Sequence, residues 1–380
     1  MSVARPVTFS LVALALLLIL GVALALQHPR FGAAPKGERL ASLQGSPHYA
    51  DGAFHNAVET PVLLDGESVP SIIVGNLLGR RENLRPEGPI PIVRTDLRAL
   101  DAAQDTIVWL GHSSYYVQLG GQRILIDPVF SAFAAPVSFS TRAFDGTTLW
   151  SAEDLPRIDA LLITHDHWDH LDHATIRALA PKVGQVIAPL GVGAHFARWG
   201  SPEARIREGD WFDAVSIADV TVHLVPARHY SGRLLRRNQT LWAGFVLESA
   251  SRRLLFSGDS GYGPHFEEIA RRFGRFDVAA LDMGQYDARW PYIHMTPEEA
   301  VQAAEDLRAT ALLPAHVGRF SIARHAWDEP FERLRAASED RPVAVLTPMI
   351  GEPVRLDATG SSFGAWWSTT GPRRATIAAQ

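Results

Sequence analysis

The chain contains no cysteine. That excludes disulfides, a thiolate nucleophile and Cys-ligated zinc or iron–sulfur sites. Any bound metal must be held by His, Asp and Glu. A surplus of positive charge is missing too. The formal net charge is -5, and the basic residues are scattered, so no broad basic field points to nucleic acid. No internal repeat or low-complexity tract appears. Ser113 and Ser114 lack the glycine pattern of a nucleophile elbow, which removes a serine-hydrolase reading. What is left is an ordinary globular composition, 47% apolar and 20% charged, in 380 residues. That length suits one large domain or two ordinary ones.

Three regions follow from the pattern. In residues 1–30, Val7 to Leu26 is an uncharged run of about twenty residues, enough to span a bilayer. It reads as an uncleaved anchor in the inner membrane. The alternative is a signal peptide removed on export to the periplasm, because Ala23-Leu24-Ala25 resembles a small-x-small cleavage site. Arg30, Lys36 and Arg39 follow the run and leave its orientation open. Residues 31–104 are rich in Pro and Gly and weakly periodic. They read as an extended arm, either wrapping a later core or lifting the domain off a membrane. Residues 105–375 are strand-rich and read as the main domain. Ile107 to Leu110, Tyr115 to Leu119 and Arg123 to Ile126 are expected strands, with a hairpin turn at Gly120-Gly121. Later strands alternate with helices. The best specified helix follows Thr296, where Pro297 and Glu299 complete a capping box and Ala300, Val301, Ala304 and Leu307 supply the apolar stripe. The arrangement implies two mixed sheets covered by helices, with loops at one edge carrying the site.

The most informative stretch begins where the apolar run Ala160 to Ile163 ends. His165, His167, Asp169 and His170 follow within six positions. Alternate residues of an extended chain point the same way, so His165 and His167 can reach one ion together. Asp169 and His170, at the turn into a helix, can reach a second beside it. Imidazole and carboxylate suit zinc, manganese or iron. A two-ion centre needs further donors. His229, Asp259 and His316 each stand just past an expected strand, and glycines flank Asp259 closely enough for the backbone to approach an ion.

Taken in that order, these residues resemble the metallo-β-lactamase-fold hydrolases over about residues 105 to 350. His165, His167, Asp169 and His170 match the His-x-His-x-Asp-His motif, and His229, Asp259 and His316 match the later ligands. Within that superfamily the chain most resembles the N-acyl-phosphatidylethanolamine phospholipase D group and its bacterial relatives. The residues carrying this are Trp109-Leu-Gly-His-Ser113, Ile126-Asp-Pro-Val-Phe130, Pro226-Ala-Arg-His229, Gly258-Asp-Ser-Gly-Tyr262 and the stretch from His294 to Ala300. The ascorbate-phosphate lactonase group is similar in its ligands but more distant. His167 stands where the di-iron oxygen-reductase branch has a Glu, which counts against that branch.

The resemblance implies an α/β, four-layer αββα sandwich. It places His165, His167 and His229 on one ion, and Asp169, His170 and His316 on the other, with Asp259 bridging. The expected cofactors are two divalent ions, zinc first, with manganese or iron as alternatives. The expected activity is phosphodiester hydrolysis by a metal-bridging hydroxide, on an N-acyl phospholipid-type substrate. Lactone or small-phosphoester hydrolysis is the alternative. A membrane-tethered binding protein that lost activity is the competing class, and the complete donor set speaks against it. Asp169, Asp259 and His294 are the residues expected to carry the reaction, His294 as a phosphate contact or proton donor to the leaving group. His112 and Asp127 are expected to orient the ligand loop. Trp168, Tyr230, Trp290 and Tyr292 lie beside these motifs as candidate lining. His173, His195, His223, His265 and His325 are left as structural. The partners implied are a small-molecule or lipid substrate and a membrane, not nucleic acid.

Overall fold

The computed structural model describes residues 4–78, 82–233, 236–357 and 363–369, with the side chains of 4–12, 69, 73 and 76–78 outside the description. Parts of the expected 105–375 domain (234–235, 358–362 and 370–375) therefore lie outside the described residues.

Two seven-stranded mixed sheets form the body. In spatial order, the first contains Pro353–Arg355, Thr106–Gly111, Ser114–Leu119, Gln122–Ile126, Ile158–Leu162, Val183–Pro189 and Ile206–Gly209. Its first three pairings are antiparallel and its last three parallel. The second contains Ala344–Val345, Ala309–Ala315, Phe276–Asp282, Arg253–Phe256, Gly244–Glu248, Val220–Val225 and Ala214–Ile217. Here the first three pairings are parallel and the rest antiparallel.

The local causes are readable. Every residue of Thr106–Gly111 and Ser114–Leu119 is buried, as expected where strands are covered on both faces. The hairpin between Ser114–Leu119 and Gln122–Ile126 turns at Gly120 and Gly121, both at positive φ, which only glycine adopts freely. Helix Pro297–Asp306 has the capping box: the Thr296 hydroxyl accepts from Glu299 N–H, and the Glu299 carboxylate accepts from Thr296 N–H at 2.8 Å. Its buried stripe of Ala300, Val301 and Ala304 packs on Phe276–Asp282 and Ala309–Ala315. Helix His173–Leu179 starts where the Asp172 carboxylate accepts from the backbone of Ala174 and Thr175.

What positions the site is where the strands stop. Asp127, the 164–170 loop, His229, Asp259 and His316 all follow the carboxyl ends of strands, and Asp282 is the last residue of one. Ligand sites in parallel α/β sheets form at such ends. The two sheets meet there through a bridge in which His112 N–H donates to Val317 O and His316 N–H to His112 O.

The arm expected at 31–104 is not extended throughout. It holds helices Glu38–Gln44 and Val69–Leu78 and a small hairpin, Tyr49–Ala50 with Ala53–Phe54. Leu43, Phe54, Ile90 and Leu97 are buried in the common core. Arg39 pairs with Glu208 and Glu203. This is a wrapping segment, not a spacer. Its frequent Pro and Gly hid short elements whose apolar partners lie far along the chain.

Before it, Ala4–Leu26 is helical. The segment 7–26 expected as an anchor or signal lies partly outside the described residues, since its side chains are described only from Ala13. Among the described residues, no helix is long and apolar enough to cross a membrane. The described side chains of this helix are exposed, with Leu17 at 66% and Ile19 at 63%.

Candidate metal centre

Strand Ile158–Leu162 delivers Thr164 to His170 to the edge between the sheets. Two groups of donor atoms meet there, and in each the atoms lie within 4.8 Å of one another. The first is His165, His167, His229 and Asp259. His167 Nδ1 is 2.8 Å from His165 Nε2 and 3.2 Å from His229 Nε2. The second is His112, Asp169, His170 and His316. The structure thus brings together all seven residues expected as ligands and adds His112 to them.

Asp259 stands between the groups. Its Oδ2 lies 3.7 Å from His165 Nε2 and 3.6 Å from His229 Nε2. Its Oδ1 lies 3.1 Å from both His170 Nε2 and His316 Nδ1. His170 Nε2 and Asp259 Oδ1 are buried without a hydrogen bond. Buried polar atoms left so are costly unless a cation or proton satisfies them. The donor set therefore fits two divalent ions.

Surrounding groups fix the donors. Asp127 Oδ2 accepts from Thr164 Oγ1 at 2.6 Å and lies 2.8 Å from His170 Nδ1. Its Oδ1 accepts from Thr164 N–H. His112 Nε2 is 2.9 Å from Asp169 Oδ2, so this nitrogen is engaged in orienting the carboxylate. These are the orienting roles expected of Asp127 and His112. Ile293 O lies 2.9 Å from His229 Nδ1 and accepts its proton, which leaves Nε2 as the ligand nitrogen. His112, Asp127 and His316 hold left-handed backbone, with φ of 56, 41 and 62.

Electrostatics favour the neutral, ligating form of four of the histidines. Burial, then the neighbouring imidazoles, hold His165, His229 and His316 well below the ordinary histidine value. Burial lowers His167 to about 4 against the opposing pull of Asp169 and Asp166. Neutral imidazole is the form that binds metal. Burial pulls His170 down, but the carboxylates of Asp259, Asp169 and Asp127 outweigh it and push it well up. Burial also raises Asp259 to about 6 against the opposing pull of His170. Such a carboxylate lacks enough compensating positive charge, which a pair of cations supplies.

Two supporting residues escaped the sequence. Asp282 ends strand Phe276–Asp282, is fully buried, and its Oδ2 lies 2.8 Å from His294 Nδ1. It also accepts from Ser260 N–H and Gly284 N–H. Burial pushes its carboxyl well above the usual range. His294 itself stacks on His316, with centroids 4.9 Å apart. It forms a third donor group with Asp259 and His316. The only prior signal for Asp282 was an acid at the end of an apolar strand.

Asn56, in the arm, is the second. Its Nδ2 donates to His229 O at 2.7 Å, and its Oδ1 accepts from His229 N–H at 3.1 Å. No sequence pattern links positions so far apart. Asn56→Leu should leave both backbone groups without this partner, at about 1–3 kcal/mol for an unsatisfied buried group. Denaturant unfolding of the metal-free chain should show that loss, and metal affinity should fall with it. Unchanged affinity would remove Asn56 from the centre.

The aromatic residues near the motifs are engaged in contacts. Trp168 lies under the Arg233 guanidinium at 3.9 Å and meets Phe31 edge-on. Tyr230 packs on His167, Tyr292 under Arg228, and Trp290 Nε1 donates to Gln285 O. Four of the histidines left as structural have partners. His195 lies 3.1 Å from Asp166 Oδ2 and accepts from Ala33 N–H. His223 meets Glu248, His265 meets Ser260, and His325 accepts from Gln285 N–H. His173 packs edge-on against Trp199.

Two mixed sheets with a paired His/Asp centre at their strand ends define the class. The chain matches the family described as Beta-lactamase superfamily domain over residues 122–317. It is 41% identical over 330 residues to an uncharacterized protein of Mycobacterium tuberculosis, covering 85% of this chain and 87% of that one. It is 31% identical over 261 residues to a metal-dependent hydrolase of Nitratidesulfovibrio vulgaris, covering 67% and 96%. It is 29% identical over 247 residues to N-acyl-phosphatidylethanolamine-hydrolyzing phospholipase D 1 of Caenorhabditis elegans, covering 61% and 69%. Isothiocyanate hydrolase from Delia radicum gut bacteria shares the fold at a TM-score of 0.53 and 21% identity, covering 66% of this chain and 98% of that one. CmlA, a diiron beta-hydroxylase from Streptomyces venezuelae, does so at 0.51 and 20%, covering 66% and 54%. The chain belongs to the β-lactamase superfamily domain family, the metallo-β-lactamase-fold hydrolases.

Proposed function

We propose that this protein cleaves a phosphodiester, of the N-acyl phospholipid type, with two divalent ions held by His165, His167 and His229 on one side and Asp169, His170 and His316 on the other. The observation carrying this reading is that the two oxygens of Asp259 face separate imidazole groups. The choice of substrate rests on the likeness to a phospholipase D of that specificity and on the motifs shared with its group. Zinc is the proposed metal. A diiron protein shares the fold, so iron is the alternative to test first, then manganese.

When bound, such a pair lowers the pKa of a shared water toward neutrality and polarises the scissile oxygen. The chain's own residues do the rest. Asp259 and Asp169 supply the negative charge that balances the cations. Asp127 and His112 hold His170 and Asp169 in place. His294, its Nδ1 turned toward Asp282, presents Nε2 as the proton donor to the leaving group.

Full-length protein prepared in detergent without chelator should contain about two metal ions per chain and lose activity on chelation. Activity should return with zinc or another divalent ion. Metal-free protein that no divalent ion activates would sink the reading. Panels of N-acyl phospholipids, lactones and small phosphoesters then read out substrate class. A preference for lactones would overturn the phosphodiester assignment and leave the hydrolase intact.

We further infer that residues 7–26 anchor the chain in the inner membrane. The exposed leucines of the helix and the uncharged run of the sequence support this. The full chain should stay with membranes through carbonate extraction, with its N-terminal peptide present. A soluble periplasmic protein beginning near Leu26 would replace the anchor with a cleaved signal.

A further inference from the structure

The end of the N-terminal helix is tied to the domain with no slack. Gln27 O accepts from Arg198 Nη2 at 2.7 Å, one residue after the helix stops. Pro29 O accepts from Trp199 Nε1 at 2.6 Å, and Arg30 O from Arg233 Nη2 at 2.9 Å. Arg30 Nη1 in turn donates to Pro136 O at 2.8 Å. A flexible linker would let the domain take any orientation to the helix. Four hydrogen bonds within four residues of the helix end do not.

The same face carries further features that fit a lipid surface. The loop held by Arg30 continues to Phe139, which is 87% exposed, the most exposed large apolar side chain among the described residues. Val137 is exposed beside it. Arg30 and Arg198, both exposed, stand at the helix end, where guanidinium groups meet phosphate headgroups while their stems stay in the apolar layer. Phe31 packs edge-on against Trp168, which lies in the ligand loop between His167 and Asp169. A cavity of about 190 Å³ opens beside that loop, lined by Arg30, Ser131, Pro136, Val137, Trp168 and His173.

We propose that the face formed by Arg30, Arg198 and the loop from Pro136 to Phe139 sits on a phospholipid bilayer, with Phe139 in the interface and the ligand loop beside it. The proposal rests on the anchor reading and adds an orientation to it. The helix alone would fix the chain in a membrane without saying which side of the domain meets lipid. The ties at Gln27, Pro29 and Arg30 say which. An exposed aromatic at interface depth is then the expected feature and not a liability.

The absence of cysteine makes the test clean, because one introduced thiol is the only labelling site. Phe139→Cys carries an environment-sensitive fluorophore in full-length protein reconstituted into phosphatidylcholine–phosphatidylglycerol vesicles. Ser251→Cys, in the exposed turn between Gly244–Glu248 and Arg253–Phe256, is the reference, since that turn lies at the strand ends opposite the metal centre. The label at 139 should shift to the blue and be quenched by brominated acyl chains, and the label at 251 should do neither. If the protein floats with vesicles and the label at 139 reports water, the orientation is wrong while the anchor stands. A blue-shifted label that brominated lipid leaves unquenched means a second protein copy covers the face, which also overturns the proposal. Protein that does not float with vesicles removes the anchor and the orientation together.

Discussion

Asp259→Asn is expected to lower metal content and turnover together, by at least roughly 10–100-fold, the loss typical when even a group that only orients a ligand is removed. Both oxygens of Asp259 are committed, one toward each imidazole group. An amide keeps one acceptor and turns the other into a donor, so one side of the centre loses its shared oxygen and the whole centre loses a charge. The fold should tolerate the change. Burial raises this carboxyl, so a neutral amide of nearly the same shape meets no added desolvation cost there. The measurement is metal per chain and kcat/KM on the same preparation, beside a melting curve of the metal-free protein. Activity within about twofold of wild type would show that Asp259 does not join the two groups.

His294→Ala is expected to leave metal content intact and slow phosphodiester turnover by roughly 10²–10⁴-fold, the range for a positioned proton donor. The separation between metal and rate matters here, because His294 also lies within reach of Asp259 and His316. Loss of metal would make it a ligand. His294→Gln keeps a hydrogen-bond donor that can serve Asp282 but cannot pass a proton at neutral pH. It should be as slow as the alanine variant while restoring any stability that the alanine lost. A glutamine variant with wild-type rate would mean that His294 only fills space beside His316.

Much of this centre could be read from the chain because its core is local. His165, His167, Asp169 and His170 sit on one strand end, and a strand's alternation fixes how they point. The Gly120-Gly121 turn and the Thr296 cap are equally local, and both elements are found where they were expected. What could not be read depends on distant partners. Strands Ile206–Gly209, Ala344–Val345 and Pro353–Arg355 are two to four residues long and gain their identity only from the sheet edge they join. Pro353–Arg355 pairs with Thr106–Gly111, nearly at the other end of the catalytic domain. Asn56 is a plain polar residue until the arm folds back and brackets His229. Asp282 resembles any strand-terminal acid until His294 comes to face it.

The left-handed backbone at His112 and His316 sets firmness against reactivity at the same positions. Such a conformation costs an L-residue with a β-carbon about 1–2 kcal/mol, and glycine almost nothing. The chain carries that penalty where an imidazole is needed, and the sheets around it hold the shape. Selection for thermal endurance alone would drift toward glycine or asparagine at both places. It would yield a sturdier molecule with its chemistry erased, as expected where function and stability compete for one backbone. Part of the endurance this protein gives up therefore lies at His112, Asp127 and His316, and relief of the same backbone strain at positions away from the centre, such as Ala218 or Arg308, need not touch the reaction.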